Sequence, residues 1–595
     1  MDSLKYIPEQ TLDPVELRDP AATRIAAIEP ACGQSASVQP IPLIARFLPS
    51  LTDIAFLMPV FFMFIKLNGA RKLLGDGDTG WHIRTGEWII AHGQVPYADM
   101  FSFSRPGAEW FAWEWLWDVC FAMLHAKWGM GSVVLASLVL ICFTSAMLFR
   151  LVRRKCGNGL VAIAVTLLAT GGCAIHWLAR PHLFTMFFLV LTLHITERAA
   201  EGRTRLLAWL VPLTLLWVNL HGGFFVIFLI LATYLGNLAV QAAIDSNGAK
   251  RLGYLAAMKP WLFAVAACSA VTFVNPYGWK LHQHMATYLA DPYNMKYIAE
   301  FQSVNFHAPV VVYFEPLFVA GILISLWNIR RRRFQEVFLT LGWMQLAFVA
   351  QRNIPLFSIA VAPVVGQGLM ALLREAKNSK LASWLRTIPA NFLTLADGTD
   401  ETDRIGRLHL VSALAIALIG TLLLLPKPVS DKFAVSYDPN DYPEKALPIL
   451  LEAGSQRIFA DDEWGDYLLY RMYPARRVFV DGRSDFYGAE FCAKYQKLLS
   501  VDFGFQKIFD EFAIDTVVLP PQYALTTALK LSPVWKVVYD DHISVVFRRR
   551  TGFQVSAASK PASLSDLEIG GIVRDRVIAK TSTRDLSVTQ PNPKT

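Results

Sequence analysis

The chain has no CxxC pair, no glycine-rich phosphate loop, no dinucleotide fingerprint and no internal repeat at a fixed period. Its seven cysteines (Cys32, Cys120, Cys142, Cys156, Cys173, Cys268 and Cys492) are scattered and mostly lie inside apolar segments, which excludes a thiol metal site and reads as small core residues. Charged residues are scarce, at 17% of 595, and the formal charge of +8 comes from short basic runs beside apolar blocks. Membrane topology alone accounts for such runs, so nucleic acid is not an expected partner. Residues 1–45 are polar and lack a charged start followed by a short apolar core, so no cleavable signal peptide is expected and the first span would do the targeting.

What is present is apolar length. Hydrophobic residues make up 54% of the chain and the mean hydropathy is +0.36, far above a soluble domain. Counting blocks long enough to cross ~30 Å of hydrocarbon gives an α-helical polytopic membrane protein of about eleven spans. They fall near 48–70, 129–150, 158–175, 181–197, 205–220, 223–243, 259–275, 310–328, 334–350, 354–373 and 408–426. The stretch 113–127, WEWLWDVCFAMLHAK, is short and carries Glu114 and Asp118, so it reads as an interfacial or re-entrant helix.

Basic residues test that threading. With 113–127 left out of the count, Arg150, Arg153, Arg154 and Lys155, then Arg198, Arg203 and Arg205, then Lys250, Arg251 and Lys259, and the run 330–333 all fall inside. A further inside loop, 374–407, carries Arg374, Lys377, Lys380 and Arg386. The N-terminal segment 1–47 is then cytoplasmic, the membrane domain covers 48–426, and two long outer loops, 71–128 and 276–309, face away from the cytoplasm.

Residues 427–550 follow the last span and lie on the outer side. Strand-like runs (RIFA, RRVFVDG, DTVVLPP, WKVVYD, ISVVFRR) alternate there with helical ones (DYLLYRMY, AEFCAKYQKLL, GFQKIFDEF), the pattern of a small extracytoplasmic α/β domain. From 551 to 595 the composition reads as a flexible tail. The acidic strings 461–466 and 481–485 have the composition of a calcium or sugar site, but Asp- and Gly-rich strand-end turns are common and that reading is preferred.

Polar residues gather on the outer face. The first outer loop opens with Asp76 and Asp78 two apart between glycines, where two carboxylates suit either a shared divalent metal, Mg or Mn, with His221 as a further ligand, or proton abstraction. His82 and Arg84 follow on the same element and are candidates to orient Asp78 or to bind phosphate. Asp99 reads as a turn cap. Glu114 sits among tryptophans, where an unpaired carboxylate is unfavourable, and is a third acidic candidate. Arg180, Asn219, His221 and Arg352 fall at helix ends of the same face. Arg180 runs against the topology bias, and its guanidinium fork suits phosphate. The second outer loop adds His282, His284, Lys296, Glu300 and His307 in no metal-ligand spacing.

Carboxylates on a loop, guanidinium groups at helix ends and a bilayer alongside suit displacement of a lipid-linked phosphate. A carboxylate would take the acceptor's proton while arginines, and a metal if one binds, steady the departing phosphate. The donor would be a polyprenyl-phosphate-linked sugar drawn from membrane lipid, and the acceptor a glycan, lipid or protein. The rival class is a multi-span transporter or flippase of a lipid-linked or anionic substrate, which would place its polar groups near the bilayer midplane in repeated halves.

The strings DGDTGWHIRTGEWIIAHGQVPYADMFSFS, EWLW, ARPHLFTMF, WVNLHGGFF, FVNPYG and RNIPLF resemble bacterial members of the GT-C glycosyltransferase superfamily, and DEWGDYLLYRMYPARRVFVDGRSDFYG is similar to their C-terminal part. The layout is similar to that of protein O-mannosyltransferases and aminoarabinose transferases. The resemblance implies a helical membrane fold whose first outer loop carries the catalytic carboxylate, here Asp78 or Asp76, above a lipid-facing cavity. It also implies that Arg180, His221 and Arg352 lie near donor phosphate.

Overall fold

The computed structural model describes residues 46–309, 311–379, 382–403 and 407–550. Most of the expected N-terminal segment, and the tail from 551, lie outside the described residues. Among the described residues seven helices are long and apolar enough to cross a membrane: Met130–Cys156, Gly159–His176, His182–Ala200, Gly222–Ile244, Gly248–Val271, Val311–Arg330 and Gln351–Lys377. Thr204–Leu220, Phe334–Val349 and Leu410–Leu423 are shorter apolar helices, and Leu51–Phe61 opens the bundle. Each segment expected to span is therefore helical along most of its length.

Met130–Cys156 and Gln351–Lys377 are the most enclosed of the seven. Helices in lipid gain by close backbone approach, and small residues permit it. A methyl group on Gly366 would stand 2.7 Å from Val152 Cγ1, and one on Gly172 2.5 Å from Ser358 Oγ. Either alanine would wedge the central helices apart.

The basic clusters collect at one end of the bundle and find acidic partners there. Lys155 Nζ lies 2.6 Å from Glu197, Arg153 lies 3.1 Å from Asp400 and also pairs with Asp403, and Arg154, Arg331 and Arg333 pair with Glu201, Glu375 and Glu336. The inside loop expected at 374–407 is largely a helix, Ser383–Asp403. Asp400 and Asp403 do more than pair: Asp400 accepts from Gly159 N at 2.9 Å and Asp403 from Leu51 N at 2.9 Å. Each thereby satisfies an orphan amide at the start of a bundle helix.

The opposite end carries the outer loops and the C-terminal domain. A four-stranded sheet in the order β1-β2-β4-β3 joins Ile458–Phe459 (β1), Thr516–Leu519 (β2), Trp535–Asp540 (β3) and Val545–Arg549 (β4), with only β1 and β2 parallel. Helices Asp462–Met472, Ser484–Leu499 and Ala524–Leu531 pack with it. The run RRVFVDG is not a continuous strand. Its backbone pairs as an isolated bridge at Val478, with Ile458 on one side and Ser102 of the first outer loop on the other, and Phe479 lays its ring against Phe459 of β1.

That bridge ties loop to domain. Phe103 N donates to Val478 O at 3.0 Å and Val478 N to Phe101 O at 3.2 Å. Below it, Arg483 is 2% exposed and bonds both Asp99 at 2.8 Å and Asp481 at 2.7 Å, beneath the rings of Phe101, Trp110 and Phe486. Asp99 also closes its expected turn, accepting from Ser102 N at 2.9 Å.

The first outer loop contributes two helices, Asp78–His92 and Trp115–Trp128. At 14 residues the second is about 21 Å long, too short to cross ~30 Å of hydrocarbon. It packs on the first so closely that a methyl group on Gly86 would overlap the carbonyl oxygen of Asp118.

Candidate active site at one end of the bundle

Arg180 is held where the first outer loop meets the helix ends. Ala179 N donates to Leu73 O at 2.7 Å, and Thr79 Oγ1 donates to Ala179 O at 3.2 Å, fixing the backbone on either side of the D-G-D turn. The guanidinium then splits between two carboxylates: one nitrogen lies 2.8 Å from Asp76 Oδ2, the other pairs with Asp78 Oδ2. Asp76 Oδ1 accepts from Asp78 N at 2.8 Å, so the turn is locked from within. Three sequence candidates 104 residues apart thus form one unit.

The C-terminal domain closes over this unit. Glu463 accepts from Gly77 N at 2.7 Å and from Tyr442 Oη. Asp466 accepts from Gly482 N at 2.9 Å; a methyl group on Gly482 would overlap Asp78 Oδ1 and stand 2.6 Å from Asp466 Oδ2. Four carboxyl groups therefore gather around the D-G-D turn, two of them on the guanidinium. Burial first, then mutual repulsion, raises the pKa of Asp76, Glu463 and Asp466, so part of the cluster is protonated near neutrality.

A second set lies on the adjoining wall. His82 Nδ1 is 2.7 Å from Asp118 Oδ1, and its Nε2 is 3.4 Å from Glu114 Oε2. Glu114 Oε1 is 3.3 Å from His221 Nε2. Gly223 N donates to His221 Nδ1 at 2.9 Å, which makes Nδ1 the acceptor and leaves the ring proton on Nε2. Thr185 Oγ1, 2.7 Å from the same nitrogen, accepts from Trp217 Nε1 at 2.9 Å and steadies the ring. His82 stacks on Trp81, centroids 3.6 Å apart, and lies edge-on to Trp117; burial there drives its pKa well below that of a free imidazole.

Arg352 reaches the same end from the Gln351–Asn353 turn. It lies 3.2 Å from Glu300 of the second outer loop and over the ring of Phe301. Burial opposes the charge on Glu300, but Arg352 prevails and pulls its pKa to about 2. His284 of that loop lies 2.8 Å from Asp485, joining it to the C-terminal domain.

Two expected site residues have other work. Arg84 donates to Tyr470 O from Nε at 2.8 Å and pairs with Glu87 at 2.6 Å, because six residues along the helix turn it away from Asp78. It docks the C-terminal domain. Asn219 accepts from Trp115 Nε1 at 2.9 Å and donates to Leu215 O and Val274 O, so its amide is spent on helix packing. Among the described residues no group of three or more His, Cys, Asp or Glu is placed to hold a metal ion. The expected set of Asp76, Asp78 and His221 does not fit one, since Arg180 already occupies the cation position between the carboxylates and His221 faces Glu114.

Sequence reasoning named Glu300, Asp118 and the strings that hold Glu463, Asp466 and Asp485, but did not join them to the Asp76, Asp78 and Arg180 set. For Glu300 the signal was the length of its loop.

No family model and no curated protein matches the chain by sequence. In fold it is similar to solved structures at low identity. One is the oligosaccharyltransferase AglB from Archaeoglobus fulgidus in complex with an inhibitory peptide and a dolichol-phosphate, at 13% identity, 85% of this chain, 74% of that one and TM-score 0.49. Another is ArnT from Cupriavidus metallidurans bound to undecaprenyl phosphate, at 13% identity, 84% of this chain, 98% of that one and TM-score 0.41.

Proposed function

We propose that the protein is a glycosyltransferase that moves a sugar from a polyprenyl-phosphate donor to a glycan, lipid or protein acceptor outside the cytoplasm. The observation that carries this reading is the fork of Arg180 across Asp76 and Asp78 at the end of the bundle opposite the basic clusters. A guanidinium gripping two carboxylates has the geometry to grip a phosphate instead.

In this reading the donor phosphate draws Arg180 from the carboxylates. Asp78, freed from its partner, takes the acceptor hydroxyl's proton as the oxygen attacks the sugar's anomeric carbon, and Arg180 with Arg352 steadies the charge left on the phosphate. Asp76 holds the turn that presents Asp78. The C-terminal domain, on the same outer side, excludes water and fixes the D-G-D turn through Glu463. The protein then sits in a bacterial inner membrane with its N-terminus cytoplasmic.

What supports this over a transporter is position. The polar groups stand at helix ends under a folded domain, whereas alternating access needs them near the midplane. The test is mass spectrometry of lipid intermediates and glycans in a deletion strain. Accumulated polyprenyl-phosphate sugar with loss of one glycan structure supports transfer, and unchanged donor lipid overturns it.

A further inference from the structure

Glu114 stands apart from the other carboxylates of the site. Asp76 and Asp78 are tied to Arg180, Glu300 to Arg352, and Asp485 to His284. Among the described residues no Lys or Arg lies within ion-pair distance of Glu114; its two oxygens face imidazoles, His82 at 3.4 Å and His221 at 3.3 Å. Its side chain is 11% exposed.

The two rings are held in complementary states. His221 presents an N–H, because Gly223 N occupies its other nitrogen. His82, boxed by Trp81 and Trp117, is neutral and so carries one donor and one acceptor. With its Nδ1 on Asp118, a proton on either carboxyl can move to the other through the ring. Asp118 is 0% exposed and its Oδ2 has no hydrogen-bond partner, so the line ends there rather than in water.

We propose that Glu114 is the proton donor to the departing lipid phosphate. The proposal rests on the transfer reaction above and adds its acid half. The acceptor oxygen bonds to the anomeric carbon as the bond from that carbon to the phosphate oxygen breaks. The bonding pair stays on the phosphate oxygen, which takes the proton of Glu114, while the acceptor's proton passes to Asp78. Water then returns a proton to Glu114 and removes one from Asp78, so the cycle closes.

The charges around Glu114 favour this role. Arg180 and Arg352 act on it from the helix ends, Asp78 from the first turn of its own loop helix, and Asp485 from the C-terminal domain. Burial lifts its pKa to about 8, against the pull of Arg180 and with a push from Asp485 and Asp78. The group is thus protonated at neutral pH yet able to give the proton up, the match an acid catalyst needs. A phosphate monoester left fully ionised beside Asp76, Asp78 and Asp485 would be repelled, and protonation relieves that.

Two measurements on the full-length protein in detergent test it. Infrared titration without substrate is expected to show protonated carboxyl absorbance, to which Glu463 and Asp466 also contribute, with a component of midpoint near pH 8 that is lost in Glu114→Gln and is read from the wild-type-minus-variant difference. With lipid-linked sugars extracted from the host membrane, release of polyprenyl phosphate is expected to fall in alkali, to drop about 10²-fold or more in Glu114→Gln with loss of that alkaline limb, and to recover partly in Glu114→Asp. Carboxyl absorbance unchanged in Glu114→Gln, or a variant that keeps the wild-type alkaline limb, overturns the proposal. A Glu114-dependent band in a wild-type protein that releases no polyprenyl phosphate overturns the transfer reading, and the donor role with it.

Discussion

Glu463 accepts a hydrogen bond from the backbone N–H of Gly77 at 2.7 Å, across 386 residues of sequence. The turn that carries Asp76 and Asp78 is therefore shaped by the C-terminal domain as much as by its own loop.

Replacing Glu463 with Ala removes the acceptor and leaves a buried amide unpaired, a loss of about 1–3 kcal/mol. Hydrogen exchange at residues 75–80 is expected to rise and transfer to fall. Glu463→Gln keeps an oxygen in place and is expected to retain most of both. Equal exchange in the Ala and Gln variants contradicts the link.

Arg483 makes a sharper prediction for stability. Arg483→Met leaves Asp99 and Asp481 buried without a counter-charge, which costs about 3–5 kcal/mol. Thermal unfolding is expected at lower temperature, and the triple change with Asp99→Asn and Asp481→Asn is expected to regain part of the loss.

The membrane fold was legible because spans are written as uninterrupted apolar length, and because each basic cluster agreed with one threading. The union of Asp76, Asp78 and Arg180 was half legible: an arginine on the side poor in basic residues signals use, but not its partner. Arg84 was misplaced because a helical phase cannot be set until the helix start is known, here Asp78 itself. The strings 461–466 and 481–485 read as turns since Asp- and Gly-rich turns are common, and nothing local in sequence announces that Glu463 and Asp466 meet a loop nearly 400 residues earlier. The expected metal set failed for a similar reason, as the cation between the carboxylates is Arg180.

Glu114 sets a pH dependence of stability with a definite sign. Its folded pKa, about 8, lies above the 4.5 of a free glutamate, so the native state binds the proton more tightly. Its contribution is complete below pH 4.5 and is lost as pH rises through about 8. The melting temperature of Glu114→Gln relative to wild type is expected to climb across that window and level off above it. A constant difference contradicts the raised pKa.

Arg180→Lys replaces a fork with a point charge. Binding of polyprenyl phosphate is expected to weaken by about 1.5–3 kcal/mol, tenfold or more, measured by titration calorimetry in detergent. Arg84→Lys is expected to leave that affinity unchanged, since Arg84 bonds Tyr470 O instead.

The central claim is that a carboxylate at position 78 takes the acceptor's proton during transfer from a lipid phosphate. The direct measurement is release of polyprenyl phosphate from extracted lipid-linked sugars by purified wild type and Asp78→Asn, with folding matched by thermal unfolding. Release by the wild type that falls about 10²–10⁴-fold in the variant is the predicted result. Equal release by both contradicts the account.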